Sequence, residues 1–161
     1  MPNQPFAIFL SVLLCCILLF TVGCGDGRPK PKDMPPLYPC TLTFTQEGVP
    51  LEGARITLYS DSKWGTGGTT DDKGEVKLVT QGYYDGVPEG TYKITVHKLV
   101  VVMDAKNEVA IKQTDVVANE FKKEATTPLE ITIGKKENDK TFDLGKAANV
   151  NVPVEGRAIA D

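Results

Sequence analysis

The chain has 161 residues, 18 Lys and Arg against 21 Asp and Glu for a net charge of −3, and a single histidine. That near balance argues against a nucleic-acid binder, which needs a concentrated basic face to neutralise phosphates. One histidine also leaves little material for sites built from several imidazoles, while the length suits one domain with a real hydrophobic core.

The first 25 residues carry no charged side chain, and Phe6–Val22 forms an apolar run that stops at Gly23-Cys24-Gly25-Asp26. This is the shape of a bacterial lipoprotein signal. The small Gly23 admits the peptidase, the Cys24 thiol takes up diacylglycerol, and cleavage leaves Cys24 as the new N-terminus on a multiply acylated tether. Two features depart from the usual pattern: Thr21 stands where Leu is common, and no Lys or Arg precedes the run. Because the run approaches the roughly 18 apolar residues of a spanning helix, an uncleaved anchor is the alternative. Either way residues 25 onward are exported, to the periplasm or the cell surface.

Of the four cysteines, Cys15 and Cys16 fall in the leader and Cys24 in the lipidation site, which leaves Cys40 without a disulfide partner. Pro29, Pro31, Pro35, Pro36 and Pro39 make the following segment a stiff, extended spacer. The expected organisation is therefore a signal segment at 1–23, a Pro-rich tether at 24–39, a folded domain at 40–145 and a C-terminal tail at 146–161.

The domain opens with strict alternation. Cys40, Leu42 and Phe44 share one face, and Ala54, Ile56 and Leu58 share another, across a Gly- and Pro-containing reversal at 46–53. This predicts a hairpin of strands 40–45 and 54–60, with Cys40 acting as a small buried hydrophobe. A second hairpin is expected around Thr69–Glu75, where Asp71, Asp72 and Gly74 read as turn formers rather than as a calcium loop; Val76 and Leu78 then resume the inward face. The Pro88-Glu89-Gly90 turn launches a strand with Tyr92, Ile94 and Val96 inward, and parity sends His97 outward to solvent. Leu99–Met103 suits a strand buried on both faces or an edge covered by a loop. Polar Asp104–Lys123 is expected as a loop with a short helical turn near Asn119–Lys123. Two more alternating strands carry Leu129, Ile131 and Ile133, then Phe142 and Leu144.

Three stretches together resemble the carboxypeptidase regulatory-like domain family: Pro50-Leu51-Glu52-Gly53-Ala54-Arg55-Ile56-Thr57-Leu58, Thr70-Asp71-Asp72-Lys73-Gly74-Glu75, and Pro88-Glu89-Gly90-Thr91-Tyr92-Lys93-Ile94-Thr95-Val96. The later Val117-Ala118-Asn119-Glu120-Phe121 and Pro128-Leu129-Glu130-Ile131 are similar to small planctomycete envelope lipoproteins of this type, with Ala118 where their motif has Pro. The resemblance spans about residues 40–145. It implies an all-β, transthyretin-like Greek-key β-sandwich of about seven strands, and its turn formers and core positions imply no chemistry. Enzymes on related folds use several histidines, so no catalytic residue, metal or cofactor is expected.

The candidate binding residues are aromatic. Trp64 lies in the Gly-rich connection 62–68, and Tyr83, Tyr84 and Asp85 lie in the connection 81–88. Rings on loops at the end of a sandwich can stack on sugar faces while neighbouring polar groups fix hydroxyls. The alternative is that Trp64 and one tyrosine plug the end of the core. The resulting expectation is a lipid-anchored, non-catalytic binding or structural module of the cell envelope. Its partners would be the membrane, through the N-terminal lipid, and an envelope polysaccharide or protein. An accessory subunit of an envelope or secretion assembly, or a hydrolase, are the other classes.

Overall fold

The computed structural model describes residues 29–103 and 110–148, so the leader, Cys24 and residues 149–161 lie outside the described residues. The chain divides into two compact units after Lys32, and the fold described here is that of the second.

The strands in chain order are β1 (Leu37–Tyr38), β2 (Cys40–Gln46), β3 (Val49–Pro50), β4 (Arg55–Tyr59), β5 (Thr66–Thr69), β6 (Glu75–Lys77) and β7 (Val79–Thr80), followed by β8 (Tyr84–Asp85), β9 (Val87–Pro88), β10 (Gly90–His97), β11 (Leu99–Met103), β12 (Ala110–Asp115), β13 (Glu130–Ile133) and β14 (Asn138–Asp143). The helical content among the described residues is one 3-10 turn at Asn119–Lys122. The described fold is all-β.

One sheet has six strands in the order β13-β10-β4-β5-β7-β8, and a second has the order β14-β2-β3 with β6 also on β2. β3 and β6 share one edge of β2 end to end, pairing Thr45 with Pro50 and Thr41 with Lys77. On the other edge β14 runs parallel to β2, from Asn138 opposite Cys40 to Asp143 opposite Thr45, the one parallel pair among otherwise antiparallel ladders of the described residues. Alternation turns one face of each strand to a common core. Leu42 and Phe44 of β2, Ile56 and Leu58 of β4, Ile94 and Val96 of β10, and Ile131 and Ile133 of β13 are all buried in one cluster. The Phe44 and Phe142 rings stack within it at 5.5 Å. Burying one apolar face from each of two sheets is what drives such a sandwich-like arrangement together.

Parity in the sequence thus identified the inward residues, but two expected hairpins are corrected. β2 and β4 do not pair with each other. After a turn at Glu47–Gly48 the chain returns along β2 for only Val49–Pro50, and then Leu51, 2% exposed, passes into the core. By Gly53 the backbone is bonded to the other sheet, with Gly53 N–H donating to Thr70 C=O at 2.9 Å and Ala54 N–H to Thr70 Oγ1 at 2.8 Å. The 46–53 segment is an arch between sheets. The 69–75 turn is a second arch, since β5 pairs with β4 and β7 while β6 pairs with β2. At Leu78 the chain crosses back: its N–H donates to Cys40 C=O in one sheet, and β7 continues in the other.

Three further differences concern extent. Pairing begins before residue 40, because Leu37 and Tyr38, inside the expected spacer, pair with Pro88 and Val87. The expected 104–123 loop contains β12, which forms a two-stranded hairpin with β11. Leu99 is 57% exposed, so β11 is not buried on both faces at its start. The short helical turn lies where it was expected, and its Phe121 is buried in the core cluster.

Candidate functional site

Backbone pairing brings the two aromatic loops together. Thr66 pairs with Thr80 across β5 and β7, and the ladder runs on past the strand ends as Gln81 N–H donates to Gly65 C=O at 2.7 Å. The loop before β5 and the turn after β7 therefore leave the sheet side by side. Their base is fixed from below by buried hydroxyls: Thr66 Oγ1 and Thr80 Oγ1 lie 3.3 Å apart, and Thr80 Oγ1 donates to Gly86 C=O at 2.7 Å.

The β7–β8 turn is tight. Tyr83 N–H donates to Thr80 C=O at 3.2 Å, and both central residues have positive φ, Gln81 at 54° and Gly82 at 74°, as in primed hairpin turns. A left-handed glutamine is unfavourable for an L-residue, and here the ladder on both sides holds it. This geometry lifts Tyr83 into solvent at 54% exposure, beside half-buried Tyr84, with the rings edge-to-face at 6.4 Å. Asp85 follows, exposed and paired in register with Val79.

On the neighbouring loop Trp64 is half-buried, and its backbone N–H donates to Ser62 Oγ at 3.2 Å. The Lys63 ammonium lies 4.9 Å from the indole centroid and pairs with Asp33. A cation held against a ring face restrains the indole. None of Trp64, Tyr83 and Tyr84 belongs to the core cluster, which closes without them and takes Tyr38 and Ala118 as its partly buried flank. Of the three rings Tyr83 is exposed, while Trp64 and Tyr84 are half-buried.

The sequence reading missed a second cluster. His97, expected in open solvent, ends β10 half-exposed, with Nδ1 3.0 Å from Asp115 Oδ2 and Nε2 3.1 Å from Lys122 C=O. Asp115 also accepts from Val117 N–H at 3.0 Å and lies 3.8 Å from Lys122 Nζ. Both imidazole nitrogens lie within hydrogen-bond distance of groups on the 115–122 segment, so the ring ties that segment to β10. Parity placed His97 on the outward face but could not show that a distant segment folds onto it.

Asp71 is a turn former: its Oδ1 accepts from Lys73 N–H at 2.9 Å and Glu75 N–H at 2.8 Å. Cys40 is buried, and burial first, with Asp139 nearby, pushes its thiol up to about 11, away from nucleophilic chemistry. Among the described residues no group of three or more His, Cys, Asp or Glu side chains converges as a metal site. No helix of the described residues is long and apolar enough to cross a membrane.

No family model matches this sequence. No curated protein matches it either. Among solved structures, a 9R-lipoxygenase from Cyanothece PCC8801 aligns over 73% of this chain and 18% of its own length, at 14% identity and a TM-score of 0.33. The chain therefore spans less than a fifth of that protein.

Proposed function

We propose that this protein is a lipid-anchored, non-catalytic binding module of the bacterial cell envelope, built on a transthyretin-like Greek-key sandwich and held to the membrane through Cys24. The observation that carries the reading is the placement of Trp64, Tyr83 and Tyr84 on two adjoining loops outside the core. Rings that the core does not need, beside an exposed carboxylate at Asp85, suit stacking on the apolar faces of sugar rings with hydroxyls bonded at the edge. Envelope polysaccharide is the ligand class that this surface fits best. A rigid ladder beneath the loops favours binding because little order is lost when the ligand arrives.

The test is retention of the full chain, in detergent, on immobilised envelope polysaccharide. Trp64→Ala should weaken retention tenfold or more, about 1.4 kcal/mol, while the thermal midpoint stays within about 3 °C because the indole lies outside the core. Unchanged retention would contradict the proposal. A collapsed midpoint would show instead that the indole is structural.

A further inference from the structure

Among the described residues the two larger sheets end on strands with no further neighbour, β13 in one and β14 in the other, and a groove of about 490 Å³ lined by residues 130–132 and 136–140 runs between them. It lies at the opposite end of the six-stranded sheet from β8 and its aromatic turn.

Ladder alternation fixes which backbone groups face this groove. Ile94 N–H donates to Leu129 C=O, so Leu129 and Ile131 turn their polar backbone groups to β10, while Glu130 and Thr132 turn theirs outward. On β14, Asn138 N–H donates to Pro39 C=O and Leu144 N–H to Thr45 C=O, which directs Asp139 and Thr141 away from β2. A groove flanked by two rows of outward donors and acceptors is matched by the backbone of an extended chain.

Lys140 guards it. From β14 its Nζ donates to the outward Glu130 C=O at 2.9 Å, and it lies 4.8 Å from the Phe142 ring centroid. An inward-pointing lysine is a known way to stop an edge strand from recruiting another chain.

We propose that the groove takes one extended polypeptide segment of a partner protein, which adds as a strand to β13. To pair with Glu130 C=O the segment must displace Lys140, so it carries one acidic side chain that receives the freed ammonium. Of the other charged groups lining the groove, Lys136 is outnumbered by Glu137 and Asp139, which disfavours a second acid, and the Glu130 carboxylate is already paired with Lys93 at 3.1 Å. Affinity comes from main-chain bonds, and the single acid sets the register.

The probe is a synthetic decapeptide of alternating Thr and Val with one central Glu, titrated into the full chain in detergent micelles and followed through the amide resonances of Glu130, Thr132 and Asp139. These should shift, and replacing the central Glu of the peptide by Thr should weaken binding several-fold. Lys140→Ala should erase that preference. Thr132→Pro, which removes an outward N–H that β10 does not use, should weaken binding at least tenfold; should that variant fail to fold, a peptide N-methylated at alternate amides must not bind the wild-type chain. The proposal is overturned by no binding at millimolar peptide, by equal binding of the N-methylated peptide, or by a glutamate preference that survives in Lys140→Ala. Dimerisation of Lys140→Ala without peptide binding would assign the edge to a second copy and also overturn it.

Discussion

Cys40 is 4% exposed on the first residue of β2, and its burial has a consequence at alkaline pH. In the unfolded chain the thiol ionises near 9.0, whereas in the fold burial and then the Asp139 charge hold it neutral up to about 11. The unfolded state therefore loses its proton first, and stability present below pH 9 falls as pH rises through 11. Burial raises the Tyr92 phenol in the same direction. Denaturant midpoints should drop between pH 8 and 10.5, with a shallower drop in Cys40→Ala; a flat profile would contradict a neutral buried thiol. Asp143 acts at the other end of the scale. Its carboxylate accepts from Thr45 Oγ1 at 2.7 Å, Gly145 N–H at 2.7 Å and Gly48 N–H at 3.1 Å, and these bonds, the Thr45 hydroxyl foremost, hold it below the usual carboxylate range. Its stabilising effect is present at neutral pH and fades as pH falls.

At the scale of elements, the arches decide the topology, and Gly74 shows how. It is buried at φ +74°, Phe44 N–H donates to its carbonyl at 2.8 Å, and a Cβ there would stand 2.3 Å from Phe44 O. Gly53, at φ +67°, has nothing within 4 Å of that position. Gly74→Ala should therefore cost at least about 2–3 kcal/mol, against about 1–2 kcal/mol for Gly53→Ala, read from urea midpoints; equal costs would contradict the close approach of the arch to β2. The sequence showed these turns and the faces of the strands they join, since Leu42, Phe44, Ile56, Leu58, Ile94, Ile131 and Ile133 are all inward as their spacing implies. It could not show which sheet each strand joins, because a period of two reports burial and is silent on the neighbour. β12 escaped notice for a related reason: Lys112, Gln113 and Thr114 give no apolar alternation, and the strand is specified by backbone pairing with β11. For the candidate site, the loops and their rings were legible, whereas their adjacency depends on the Thr66–Thr80 pairing, a long-range fact.

For the molecule as a whole, division of labour is the organising idea. The core is closed by residues of both sheets, half-exposed His97 holds the 115–122 segment to β10, and the Cys40 thiol is kept neutral by burial. In the proposed function and the inference from the groove, recognition falls to the aromatic loop pair and to the surface between β13 and β14. On the proposed reading both are surfaces for capture, and capture at an envelope is useful only when the module is held there. Metabolic labelling with palmitate, comparing wild type with Cys24→Ala, tests this most directly: the wild-type chain should carry label and sediment with membranes, and the variant should lose both. Membrane retention of an unlabelled wild-type chain, or label that persists in Cys24→Ala, would contradict the account.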